Sequence, residues 1–99
     1  MASFAIATAE AGRLIGTGEL SFETAARALQ QGNVLIGRGG RWVIDLSRVE
    51  SGDSAGVAVL VEWLATAHAV DATVRYEGIP SQMLAIARIS DLEDLLLGN

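Results

Sequence analysis

Ninety-nine residues, 51% hydrophobic and 19% charged, with 7 basic against 12 acidic side chains for a net charge of −5, describe one soluble globular domain, 1–99, with a single core. The chain has no cysteine, which excludes a thiol nucleophile, a cysteine zinc site and any disulfide framework. All 7 basic residues are arginine, so neither a P-loop nor a Schiff-base lysine is available, and arginines scattered singly from Arg13 to Arg88 at a pI of about 4.6 build no stripe for nucleic acid.

Met1 to Leu14 lacks a positive n-region and is interrupted by Thr8, Glu10 and Gly12, so it does not read as a signal peptide. Phe4 to Ala7 and Arg13 to Leu20 are expected as short strands around a turn at Glu10 to Gly12. Ser21 then stands as an N-cap before Phe22, Ala25, Ala26 and Leu29, an amphipathic helix stopped by Gly32 and Asn33. Val34 to Ile36 leads into a glycine turn at Gly37, Gly39 and Gly40. That turn lacks the spacing of a phosphate loop.

Arg41 to Leu46, with Trp42, Val43 and Ile44 in succession, predicts a central strand followed by a polar loop from Ser47 to Gly52. Asp53 and Ser54 are alternative N-caps of a long helix with Val57, Leu60, Val61 and Leu64 on one stripe. Its apolar stretch, Ala55 to Val70, is broken by Glu62 and His68 and is shorter than the roughly 20 residues of a membrane span. Thr73 to Tyr76 predicts a strand, and Pro80 opens a helix through Met83, Leu84, Ile86 and Ile89. Ser90 and Glu93 have capping-box spacing ahead of Leu95 to Leu97. The order predicts an α/β fold: a small mixed sheet with helices packed on one face.

Gly52-Asp53-Ser54-Ala55-Gly56 fits the G-x-S-x-G nucleophile elbow. The sole histidine, His68, lies 68 − 54 = 14 residues along the same helix, about 21 Å away at 1.5 Å per residue, whereas a base must lie within about 3 Å. Catalysis by Ser54 is therefore rejected. His68, without a second histidine or a carboxylate at i+4, reads as a residue that shields the helix terminus or sits half-buried rather than a metal ligand. The acids Glu50 and Asp53, and Asp91 and Asp94, read as a helix-start charge and a solvated face. Beyond the core stripe the helix carries Ala55, Ala58, Val59, Glu62 and Thr66, small residues that allow close approach of another surface. Trp63 lies at the margin of that face or is buried, and with Arg48 it is a candidate interface anchor.

Val43-Ile44-Asp45-Leu46-Ser47-Arg48-Val49, followed by Asp53-Ser54-Ala55-Gly56-Val57-Ala58-Val59-Leu60, resembles the signature of STAS domains. Arg13 to Leu20, with its Gly18-Glu19-Leu20, is similar to the family's early strand, and Thr73 to Ile79 to its last. With the elbow rejected and no metal-ligand set, no cofactor, no metal and no catalytic residue is expected. The resemblance implies protein binding, and with the small residues of the helix face the expected surface is Ser51, Gly52, Asp53, Ser54, Ala55, Ala58, Val59 and Glu62.

Two branches of the family fit. In one, the anti-sigma factor antagonists, a partner kinase phosphorylates the serine matching Ser54. In the other, MlaB-type subunits of the Mla phospholipid ABC transporter dock on the ATPase subunit (MlaF-like), with the permease in the same complex. The tail from Pro80 to Leu95 resembles the final helices of the second branch and favours it. A cytoplasmic protein, held peripherally at the inner membrane through that complex and serving outer-membrane lipid asymmetry, is the expectation. Gly52 departs from the family, which has an apolar residue there, and implies a looser loop.

Overall fold

The computed structural model describes residues 1–98; Asn99, the last residue of the expected domain, lies outside the described residues. Two strands, β1 (Phe4–Glu10) and β2 (Arg13–Leu20), pair antiparallel around a turn at Ala11 and Gly12, so β1 runs three residues beyond its expected end at Ala7. Helix α1 (Ala25–Ile36) carries the chain to β3 (Arg41–Gly52), which lies parallel to β2. Helix α2 (Ser54–Ala69) then leads to β4 (Thr73–Glu77), parallel to β3. Helices α3 (Ser81–Ile89) and α4 (Glu93–Leu97) follow. The sheet order is β1-β2-β3-β4, a mixed sheet of the expected kind.

The strands alternate as half-buried strands must. Phe4, Ile6, Leu14, Ile44, Leu46 and Tyr76 enter the core against the helices, where Ala28, Ile36, Leu60, Trp63 and Met83 are buried with them. On the opposite face, the Arg13 guanidinium donates to Asp45 Oδ2 at 3.2 Å and to Glu77 Oε1 at 2.9 Å, tying three neighbouring strands together. The Ser47 hydroxyl and amide, outweighing a burial effect of opposite sign, join Arg13 in holding the Asp45 carboxyl below the usual aspartate range.

Six expectations are corrected. Ser21 does not cap α1; Thr24 occupies that position, while the Ser21 amide donates to Thr24 Oγ1 at 2.9 Å and the Ser21 hydroxyl to Glu19 Oε2 at 2.6 Å. Phe22, expected on the apolar stripe, is therefore left 83% exposed. Gly32 and Asn33 do not stop α1, which continues to Ile36. A side chain on Gly32 would run into the indole of Trp63, and its absence lets α1 and α2 close on each other.

Ser47 to Gly52 is not a loop: β3 continues through it and pairs with the second half of β2, from Thr17↔Arg48 to Leu20↔Gly52. Ser90 and Glu93 form no capping box; Ser90 closes α3, and Glu93 accepts instead from Arg88 Nη2 at 2.8 Å. Ile89, expected on the core stripe of α3, is 88% exposed.

Candidate partner-binding site

The polar end of β3 delivers the chain to α2 beside the end of β2, where the Asp53 amide donates to the Leu20 carbonyl at 3.3 Å. Asp53 is the N-cap: Oδ1 accepts from the Ala55 and Gly56 amides at 2.9 and 3.1 Å. Its Oδ2 accepts from the Phe22 amide at 3.1 Å, so one carboxylate ties the first turn of α2 to the segment before α1. Burial alone would raise the pKa of this carboxyl, but the Phe22, Gly56 and Ala55 amides outweigh it and hold it below its ordinary value. Ser54 is thereby the first residue of the helix, and it is exposed.

Glycines bring the frame this close. A Cβ on Gly52 would stand 2.7 Å from Met83 Cγ and 3.1 Å from the Leu20 carbonyl oxygen. One on Gly56 would stand 3.0 Å from the Leu20 carbonyl carbon and 3.2 Å from Met83 Cε. Gly52 thus tightens the approach to α2 rather than loosening it. Acidic groups surround the site: Glu19 accepts from the Ser21 and Ser51 hydroxyls at 2.6 and 3.4 Å, Asp53 lies at its centre, and Glu50 is exposed nearby in sequence.

Ser54, Ala58 and Glu62 recur every four residues and are all exposed, forming one ridge along α2. Ala55, Ala58, Val59 and Glu62 line a shallow, largely apolar groove of about 270 Å³, closed on its other side by Ala25, Ala26 and Leu29 of α1. Among the expected contact residues, Ser51, Asp53 and Ala55 are half-buried, and Gly52 and Val59 are buried, Val59 with 4% exposure. Trp63 is not at the margin of the face: it is fully buried, donates Nε1–H to the Leu29 carbonyl at 3.3 Å, and lies 6.2 Å from the Phe4 ring. Arg48 is exposed on β3. Sequence pattern alone gives α1 no part in this groove, because Ala25, Ala26 and Leu29 read as its core stripe; the adjacent alanines near Leu29 are the available signal.

A family model described as "Mlab, STAS domain" matches residues 5–98. The chain belongs to the STAS domain family. No curated protein sequence matches it. Among solved structures it is similar to the Bacillus cell fate determinant SpoIIAA in the phosphorylated form, with TM-score 0.67 and 16% identity over 91% of this chain and 85% of that one. It is also similar to the anti-sigma factor antagonist SpoIIAA in its unphosphorylated form, with TM-score 0.65 and 14% identity over 88% and 83% of the two chains. The murine Slc26a9 anion transporter in the inward-facing state matches with TM-score 0.59 and 20% identity, over 87% of this chain but 14% of that one.

STAS domains are in general regulatory or accessory modules that bind proteins. The geometry of this one agrees with the rejection of the nucleophile elbow, since Ser54 begins α2 and His68 lies in its last turn. Among the described residues no group of three or more His, Asp or Glu converges to hold a metal ion. No helix among them is long and apolar enough to cross a membrane.

Proposed function

We propose that this STAS domain is a non-enzymatic accessory subunit that docks on the ATPase subunit of an Mla-type phospholipid ABC transporter, at the cytoplasmic face of the inner membrane. The observation that carries this reading is the exposed ridge of Ser54, Ala58 and Glu62 beside an apolar groove. Small side chains there admit close packing, and a hydroxyl and a carboxylate at the rim supply directional contacts. The MlaB-type description of the matching family model supports the choice of partner.

Ser54→Glu tests it. The residue is exposed at a helix N-terminus, where an acid is tolerated, so the fold is expected to survive while co-purification with the ATPase and permease is lost. Retention of wild-type affinity by Ser54→Glu would place the contact elsewhere.

A second reading, a phospho-switched anti-sigma factor antagonist, is favoured by the exposure of Ser54 together with the fold likeness to SpoIIAA. Incubation with a candidate anti-sigma factor kinase and ATP, followed by mass spectrometry, separates the two. Stoichiometric phosphate on Ser54 selects the switch, and an unmodified chain that copurifies with an ATPase selects the transporter.

A further inference from the structure

The two edges of the sheet are not alike. Strand β4 is five residues long, carries Arg75 and Glu77, and has α4 packed beside it, which are devices that discourage another strand from pairing. Strand β1 shows fewer of them: α1 packs against it, but its one charged residue, Glu10, stands at its last position. It is seven residues long, without proline or lysine, uncharged from Phe4 to Ala9, and its only register irregularity lies at the Thr8/Glu10 end.

Its free hydrogen-bonding groups follow from the ladder. The Ser3 carbonyl accepts from the Glu19 amide at 2.8 Å. Residues alternate in an antiparallel pair, so Ser3, Ala5 and Ala7 direct their backbone groups to β2. Phe4, Ile6 and Thr8 direct theirs to the opposite side, where no strand lies.

We propose that this edge pairs with β1 of a second copy of the chain, antiparallel about a two-fold axis at Ile6, so that two four-stranded sheets become one of eight. That register sets Ile6 opposite Ile6 and Phe4 opposite Thr8. Each of the three outward residues on either copy then gives one N–H and accepts at one carbonyl, and the segment is complementary to itself. On the open face, Ala5 meets Ala7 of the other copy, and both are small and exposed. On the helix face, a groove of about 600 Å³ runs between the N-terminal segment Met1 to Phe4 and the start of α1, with Glu23, Ala26, Arg27 and Gln30 on its helix side.

Sedimentation equilibrium over a concentration series tests this. The wild-type mass is expected to rise from 10.4 kDa toward twice that value. Thr8→Pro removes one outward N–H without touching the β2 ladder and is expected to weaken association at least tenfold. Ala5→Glu/Ala7→Glu sets carboxylates opposite one another across the join and is expected to stay monomeric with an unchanged circular dichroism spectrum. Ala5→Arg/Ala7→Arg is expected to do the same, and mixing the two double variants to restore a dimer. A wild-type chain that stays monomeric up to its solubility limit overturns the proposal. So does a glutamate variant that dimerises like wild type, or a mixture that remains monomeric.

Discussion

Replacing Asp53 by alanine removes the acceptor of three backbone amides: Ala55 at 2.9 Å, Gly56 at 3.1 Å and Phe22 at 3.1 Å. Loss of an N-cap side chain costs about 1 kcal/mol. The bond from Phe22 is exposed, so water replaces it in part and its loss adds about 0.5–1 kcal/mol. A total of about 1.5–2 kcal/mol in a domain of this length lowers the melting temperature by roughly 10 °C. The cost is also pH-dependent with a fixed sign. The folded protein holds this carboxyl below its ordinary value, so its stabilisation is complete above the unfolded-state pKa and is lost as pH falls through the folded-state pKa. The difference in urea-unfolding free energy between wild type and Asp53→Ala is therefore largest near neutrality and shrinks in acid. Asp53→Asn keeps one acceptor oxygen and should retain most of the cap while losing that pH dependence. Equal stability of Asp53→Ala and wild type at neutral pH, or a difference that persists undiminished in acid, refutes the assignment.

Further outcomes follow from the core. Gly32→Val drives a side chain into the Trp63 indole; a loss of about 1–3 kcal/mol is expected, read by urea unfolding with tryptophan fluorescence. Tyr76→Phe removes the 2.6 Å bond from Tyr76 Oη to the Leu60 carbonyl and should cost about 1 kcal/mol in the same assay. Burial pushes the phenol of Tyr76, the sole tyrosine, far above its ordinary value. Its stabilising effect is whole below the unfolded-state pKa and declines as pH rises toward the folded-state value, so tyrosinate absorbance should appear only together with alkaline unfolding. Arg88→Ala breaks an ion pair to Glu93 whose arginine side chain is 68% exposed, and because solvent screens such a pair the thermal melt should be indistinguishable from that of wild type.

The α/β class and most elements were legible because period and punctuation agree with the fold: Val57, Leu60 and Leu64 mark α2, and Pro80 opens α3. What escaped was decided by contacts distant in sequence. Ser47 to Gly52 reads as loop because Val49 is its only large apolar side chain, yet β2 supplies a parallel partner for it. Gly32 reads as a stop because nothing local reveals that an indole 31 residues later needs the space of its missing side chain. Glu93 had capping-box spacing from Ser90, but a cation five residues before it was the better partner. On α2, Ala58 and Glu62, read as lying beyond the core stripe, are exposed, as is Ser54 at the helix start. Periodicity had no knowledge of α1, and so it placed Val59 on the surface and left Trp63 undecided.

The start of α2 is held from two sides: the Asp53 carboxylate grips the Phe22, Ala55 and Gly56 amides, and Gly56 rests on the Leu20 carbonyl with no side chain between. A surface fixed in this way meets a partner without first being ordered, which spares the entropy that a flexible loop gives up on binding. The same fixity defines how a charge on Ser54 would act. A phosphate there would gain from the helix N-terminus and lose from the adjacent Asp53 carboxylate, while the anchored turn has little freedom to rearrange. Its effect would then fall on the partner through charge and bulk, as with Ser54→Glu. The two readings of Ser54 therefore share one requirement: an exposed hydroxyl on a hydrogen-bonded turn, with a groove of small side chains beside it to receive another polypeptide.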